Sequence, residues 1–118
     1  MKADLHNHSH FSDGFLSPSE VVNLATAAKC DLFSLTDHDT TDGIAEAKLE
    51  ADKVGLNLIN GVEISAFWRN MTIHIVGLGV DVNNDILQTG LEHNKDLRKI
   101  RAEKIALSLR RSGIRDAL

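Results

Sequence analysis

Apolar and polar positions fall in blocks along the chain, and the blocks predict an order of elements. Ala3-Asp4-Leu5 is a short run that opens a strand, and Ser9 to Gly14 breaks it. Ser17-Pro18-Ser19-Glu20 reads as a helix start, with Ser17 as N-cap, Pro18 in the first helical position and Glu20 closing a capping box. Val21, Leu24, Ala25 and Ala28 follow at helical spacing and predict a helix ending near Lys29. Leu32 to Thr36 suits a buried strand and finishes in Asp37-His38-Asp39. A second helix is predicted from about Thr41, with Ile44, Ala47, Lys48 and Ala51 on one face and Gly55 as its stop. Asn57-Leu58-Ile59 opens a third strand, read as running on through Val62-Glu63-Ile64-Ser65. Met71 to Val76 is a fourth, ending at Gly77-Leu78-Gly79. From Asn84 the pattern is helical to about Ser112, with a late apolar stripe of Ala102, Ile105, Ala106 and Leu109. Gly113 fits the C′ position, and Gly90 is a place where this helix could divide. The predicted order is β-α-β-α-β-β-α. Its first two crossovers imply parallel strands with helices outside.

Length and composition narrow the class. The 118 residues and 42% hydrophobic content fit one domain, since domains commonly hold about 100–150 residues. A closed eight-stranded α/β barrel, at roughly 250 residues, is excluded. One cysteine excludes an intramolecular disulfide framework and a Cys-based zinc cage, and Cys30 is most simply a small buried hydrophobe. No run approaches the roughly 18 apolar residues of a membrane span, and Met1-Lys2-Ala3-Asp4 does not read as a signal peptide. The expectation is a soluble, cytoplasmic protein with no membrane partner.

The net charge of −4 divides unevenly: residues 1–90 carry 5 Lys/Arg and 13 Asp/Glu, residues 91–118 carry 8 and 4. Five of the six histidines lie in the acidic part. This suggests a cation site beside something that meets anions, although composition alone favours an ordinary surface with a solvated basic helix.

Position relative to the strands adds the chemistry. Each early strand ends in ligand-type residues: His6-Asn7-His8 and then Asp13, next Asp37-His38-Asp39, and then Glu63. In parallel α/β architectures, sites collect at the carboxyl ends of strands. His6 and His8, two apart in an extended segment, project to one face and can aim two imidazoles at one ion. Alone, His-x-His is a weak signal; with Asp13, His38 and Glu63 it suits Zn, Mn, Fe or Ni better than Ca. His10 is read as a loop residue. If Arg69-Asn70 is a two-residue turn, Trp68 faces Met71, Ser65 faces His74, and Glu63 lies diagonal to His74 on the same face. His74 by itself reads as a core histidine between Ile73 and Ile75; beside Glu63 a metal role is the stronger reading. One of Asp37 and Asp39 is expected to hydrogen-bond a ligand imidazole, and Asp39 alternatively to begin a turn or cap the next helix. Arg69 could meet a phosphate, and Phe67 and Trp68 could stack on a base, although an exposed cation and core aromatics are the commoner roles. Arg98, Lys99, Arg101, Lys104, Arg110 and Arg111 leave most of one helix perimeter charged, as on any exposed helix, and His93 is expected to be exposed.

Asp4-Leu5-His6-Asn7-His8-Ser9, Ser12-Asp13-Gly14, Thr36-Asp37-His38-Asp39 and Gly61-Val62-Glu63-Ile64-Ser65 together resemble the polymerase and histidinol phosphatase (PHP) family. Thr72 to Gly79 and Arg101 to Ala106 resemble, within it, the branch of bacterial nucleoside 3′,5′-bisphosphate phosphatases that also trim RNA from its 5′ end. The resemblance implies the N-terminal part of a distorted seven-stranded α/β barrel, left unclosed here, with residues 1–118 as one part of a single domain. It implies two or three divalent metal ions (Zn, Mn or Fe). His6, His8 and Glu63 would hold one, Glu63 and His74 a second, and Asp13 and His38 a third. Glu63, Asp13 and His38 would carry the catalysis. Further ligands would come from a second half of the domain that residues 84–118 do not replace. Such ions lower the pKa of a bound water to about 7, and a bridging hydroxide would attack phosphorus.

The implied activity is phosphoester hydrolysis on a phosphorylated small molecule or an RNA 5′ end, with no stable DNA binding. The 118-residue chain would be inactive alone, and its open sheet edges could pair between copies. Two other readings stand beside it: a non-catalytic metal-binding or structural PHP module, and a histidinol-phosphate phosphatase. An open reading frame continuing into the late ligands would favour the enzyme.

Overall fold

Capping chemistry starts the first helix where the sequence places it. In the computed structural model, which describes residues 1–118, the elements are β1 (Ala3–Asp4), α1 (Pro18–Ala27), β2 (Leu32–Phe33), α2 (Ile44–Val54), β3 (Asn57–Leu58), β4 (Gly61–Trp68), β5 (Met71–Leu78) and α3 (Asp85–Arg111). Ser17 accepts from the Glu20 amide, and the Glu20 carboxylate accepts from the Ser17 amide at 2.8 Å. α1 ends two residues early, because Lys29 takes a left-handed conformation. α2 begins at Ile44 rather than Thr41, since the Asp42 amide donates to the Thr40 hydroxyl and holds residues 40–42 in a turn. Gly55, at φ 77°, ends α2 as predicted.

β1, β2 and β3 form a parallel sheet in sequential order, and β4 and β5 an antiparallel hairpin. α1 and α2 pack on each other over one face of the parallel sheet. Their core comprises Val21, Val22, Ala25, Phe33, Leu35, Ala47, Ala51 and Leu56, with Cys30 packed against it. Three positions assigned to the apolar faces are exposed and lie outside this core: Leu24, at 59%, Ala28 and Lys48.

The strand expected over residues 57–65 is two strands. At Asn60 the backbone carbonyl turns away from β2 and accepts from the Gly79 and Val80 amides. β3 pairs with β2, whereas β4 pairs with β5, and its backbone pairing with the segment after β2 is a parallel bridge between His38 and Glu63. The pairing offset is nonetheless constant, with Leu58 opposite Phe33 and Glu63 opposite His38. The α/β order therefore holds with its third strand divided, and the sheet is not closed into a barrel.

α3 is one helix of 27 residues, undivided at Gly90. A single helical glycine costs about 1 kcal/mol relative to alanine, which weakens a helix without breaking it. Asn84 caps its start by accepting from the Leu87 amide. Leu91 and Ala106 are its buried residues; Ile105, assigned to the late stripe, is half exposed. The projecting helix gives a radius of gyration of 16.4 Å, against about 13–14 Å for a spherical domain of this length. No helix is long and apolar enough to cross a membrane.

Phe33 is wholly buried, so Phe33→Ala should cost about 3–5 kcal/mol in urea unfolding, while Leu24→Ala should stay within about 0.5 kcal/mol. Equal losses at the two positions would contradict this placement of the core.

Candidate metal centre

Three chain segments reach one mouth at the carboxyl end of the parallel strands, each held by its own backbone contacts. After β1 the chain stays extended. The Asn7 amide donates to the Thr36 hydroxyl (3.1 Å), and the Thr36 amide donates to the Asn7 carbonyl (2.8 Å). The Asn7 side chain donates to the Asp4 carboxylate and the Ser34 carbonyl. Asn7 thus turns into the framework, and alternation sends His6 and His8 to the opposite side.

The loop that follows folds back tightly. The Ser12 and Gly14 amides donate to the Ser9 carbonyl at 3.1 and 2.9 Å. A Cβ on Gly14 would lie 2.5 Å from the His8 carbonyl oxygen, so only glycine permits this return. The loop sets Asp13 between His8 Nδ1 (3.5 Å) and His38 Nε2 (3.3 Å).

Glu63 is the centre of the cluster. Its amide donates to the Asp37 carbonyl and its carbonyl accepts from the Asp39 amide, which seats its side chain beside His38. Oε2 faces His6 Nε2 (3.0 Å), His8 Nε2 (3.0 Å) and His38 Nδ1 (3.6 Å), while Oε1 faces His74 Nδ1 (3.2 Å). His74 reaches it because the β4–β5 register has Ser65 opposite His74 and Trp68 opposite Met71, as counted from a two-residue turn. Arg69 and Asn70 both have positive φ, the type I′ geometry that fixes this register. His74 is an exposed strand residue, not a core histidine.

The electrostatics favour a neutral His38 beside an ionised Glu63. Burial alone would raise the pKa of Glu63, but the hydrogen bond from His6 and the nearby His38, His6 and His8 outweigh it and hold the carboxyl below its usual range. Burial lowers the pKa of His38 more than Glu63 and Asp13 raise it, so the ring keeps a lone pair at neutral pH. The His8 and His38 rings stack with centroids 4.5 Å apart.

Three groups of donor atoms, each within 4.8 Å of one another, could hold a cation: His6, His8 and Glu63; His8, Asp13 and His38; His38, Glu63 and His74. The donor set fits divalent ions of the Zn, Mn or Fe kind. A second observation agrees: His38 Nδ1 is buried and has no hydrogen-bond partner, the condition of a lone pair reserved for a ligand. His10 lies outside these groups and stacks on Phe11.

Neither aspartate beside His38 bonds a ligand imidazole, contrary to expectation. Asp37 accepts from the Ser9 amide and hydroxyl (both 2.6 Å) and the Ser12 hydroxyl (2.7 Å), so it shapes the loop that carries Asp13. Asp39 caps no helix. It is fully buried and accepts from the Ser65 amide (2.8 Å), the Ser65 hydroxyl (2.7 Å) and Asn94 (3.0 Å), with Arg98 Nε at 2.9 Å. Arg98 also donates to the Ser65 hydroxyl, and Asn94 to the Ser65 carbonyl. Arg98 is therefore not merely a solvated cation. Asn7, Ser9, Ser12, Asn94 and Arg98 are the supporting residues that the sequence pattern missed. The one available signal was the i,i+4 spacing of Asn94 and Arg98 on a single helix face.

A partly parallel α/β framework with a histidine–carboxylate cluster at its strand ends defines a domain built to hold metal ions. The chain belongs to the PHP domain family, whose model matches residues 4–112. It is 46% identical over 111 residues to a 3′,5′-nucleoside bisphosphate phosphatase of Chromobacterium violaceum, covering 94% of this chain and 39% of that protein. It is 47% identical over 116 residues to a 5′-3′ exoribonuclease of Haemophilus influenzae, covering 98% of this chain and 42% of that one. Among solved structures, an amidohydrolase from Chromobacterium violaceum with bound sulfate and no metal superposes with a TM-score of 0.91 at 45% identity, covering 97% of this chain and 40% of that chain. The chain thus spans about two fifths of the length of the curated relatives it matches.

Burial raises the pKa of Asp39, but the bonds from Ser65 and Asn94 and the charge of Arg98 outweigh it and hold the carboxyl below its usual range. A carboxyl with a depressed folded pKa stabilises the fold above its unfolded pKa of about 3.9, and this is lost as pH falls through the folded value. Asp39→Asn should therefore destabilise most at neutral pH, by about 1–3 kcal/mol given that Arg98 is half exposed. The gap to the native chain should narrow below about pH 3.9. A gap in urea midpoints that stays constant from pH 7 to pH 3 would contradict the assignment.

Proposed function

We propose that residues 1–118 form the N-terminal part of a single PHP domain, and that the full-length protein hydrolyses phosphoesters with bound divalent metal ions. The proposed substrate is a nucleoside 3′,5′-bisphosphate or the 5′-terminal nucleotide of an RNA. The observation that carries this is the convergence of His6, His8, Asp13, His38, Glu63 and His74 on one mouth, in a chain 46–47% identical to a bisphosphate phosphatase and an exoribonuclease.

These six residues are assigned as metal ligands, and Glu63, Asp13 and His38 as the catalytic residues among them. Glu63 would contribute to two ion positions, since its two oxygens face different imidazoles. Asp13 is two-thirds exposed at the mouth, within 3.5 Å of His8 and His38. His38 supplies a neutral lone pair. The ions, when bound, would supply Lewis acidity and a hydroxide at neutral pH.

The donor count supports an incomplete centre. A neutral imidazole offers one lone pair, yet the three candidate groups share His8 and His38, so they cannot all hold an ion at once with three ligands apiece. The 118-residue chain is accordingly expected to bind fewer than three ions and to show little or no phosphatase activity. Elemental analysis finding three ions per chain, or turnover of adenosine 3′,5′-bisphosphate matching the full-length protein, would overturn this.

In the full-length protein, Glu63→Gln should weaken metal binding by at least the 10–100-fold that changes in residues merely supporting ligands produce, and abolish hydrolysis. His10→Ala should leave both intact. Retained hydrolysis in Glu63→Gln would refute the proposed centre. The outer edge of β5 has no strand partner, and Met71 and Ile75 are exposed on it. Association between copies of the 118-residue chain through this edge is expected. Light scattering that gives a strict monomer at high concentration would count against it.

A further inference from the structure

The geometry points to Asn94 and Arg98 of α3 as positioning residues for one ion position of the metal centre, the group formed by His38, Glu63 and His74. This rests on the function proposed above and names what holds one part of its centre in shape. Neither residue belongs to a donor group, and both act through Asp39 and Ser65.

Asp39 and Ser65 bracket that ion position. Asp39 follows His38 directly, and its amide donates to the Glu63 carbonyl at 2.9 Å. Ser65 shares a face of β4 with Glu63 and stands directly opposite His74 on β5. The Ser65 amide donates to Asp39 Oδ1 (2.8 Å) and the Ser65 hydroxyl to Asp39 Oδ2 (2.7 Å), so the two residues are joined twice. Each of the three ligands thus has a backbone neighbour in this pair. α3 grips the pair from the other side. Asn94 Nδ2 donates to Asp39 Oδ1 (3.0 Å) and to the Ser65 carbonyl (2.9 Å). Arg98 sets Nε on Asp39 Oδ2 (2.9 Å) and donates from Nη2 to the Ser65 hydroxyl (3.2 Å). Asn94 and Arg98 are spaced i,i+4 and so share one face of the helix.

These bonds fix direction more than they add cohesion. A buried ion pair contributes little net stability, because desolvation offsets its attraction. What it supplies here is a set orientation. Asp39 has φ 52°, uncommon for any residue but glycine, and its carboxylate is tied on both oxygens while it holds that conformation. Releasing the carboxylate would free the backbone that carries the bridge between His38 and Glu63. The planar fork of Arg98 meets Asp39 and Ser65 together, which a lysine ammonium cannot reproduce. The remaining ligands are secured elsewhere. Asn7 holds the segment of His6 and His8 through Thr36 and Ser34, and Asp37 holds the loop of Asp13 through Ser9 and Ser12. His38 and Glu63 are shared with the neighbouring groups, but only the group completed by His74 draws every ligand from beside the clamped pair.

His74 belongs to this group alone and His6 to another alone, which allows a test by double mutation. The full-length protein, stripped by chelator, is titrated with Co²⁺, which takes the same nitrogen and oxygen ligands and whose visible absorption reports their geometry. Arg98→Lys and Asn94→Ala should each weaken one bound Co²⁺ about 10–100-fold, the range for residues that orient ligands, and shift its absorption bands. The loss should persist in a His6→Ala background. In a His74→Ala background, which lacks the position, most of it should vanish. Urea unfolding in chelator checks that the variants fold, and Asn94→Ala, which leaves the Arg98–Asp39 ion pair in place, carries the test if Arg98→Lys does not. Losses of equal size in the two backgrounds, or unchanged affinity and bands, would overturn the positioning role and leave a structural one. Selective losses in a protein that hydrolyses no phosphoester would sink the catalytic proposal only. Hydrolysis with unselective losses would sink the positioning role only, and a native protein that binds no Co²⁺ would overturn both.

Discussion

Two backbone hydrogen bonds tie the structure together: Glu63 amide to Asp37 carbonyl, and Asp39 amide to Glu63 carbonyl. They join the hairpin to the segment after β2, and they carry a carboxylate into a nearly buried position among four imidazoles. A buried carboxylate must be compensated. Here the compensation comes from rings contributed by β1's extension, by β2's extension and by β5. Strand pairing and site assembly are one event in this fold, because the pair that joins the hairpin to the segment after β2 is also a pair of proposed ligands.

The same bridge explains the load on Asp39. It sits at φ 52°, an uncommon conformation that aspartate tolerates better than most residues. It gains a set of partners in return: the Ser65 backbone and hydroxyl, Asn94 and Arg98. Asp37, two residues earlier, grips the opposite loop through Ser9 and Ser12. The aspartates on either side of His38 thus fix the elements to its left and right, and the imidazole is left free to face Glu63.

What the sequence made legible was what local rules govern. The capping box at Ser17, the alternation that puts His6 and His8 together, and the hairpin register that brings His74 to Glu63 each depend on a few neighbouring residues. The division of the third strand at Asn60 was not legible, because it depends on which partner claims one carbonyl. Leu24, Ala28 and Lys48 were misplaced because helical spacing gives a face but not what covers it. The roles of Asn94 and Arg98 stayed hidden for a related reason. Their partner lies 55 residues away from Asn94, and on the helix they look like any solvated pair.

His6 and Glu63 are separated by 57 positions, whereas β4 and β5 close through a two-residue turn. Local hairpins form far sooner than contacts of such separation. The hairpin can therefore carry Glu63 and His74 as a preformed pair and dock them against the three other imidazoles late in folding. A cation that recognises only the assembled group binds the native chain and not its precursors, so its affinity adds directly to the stability of the fold.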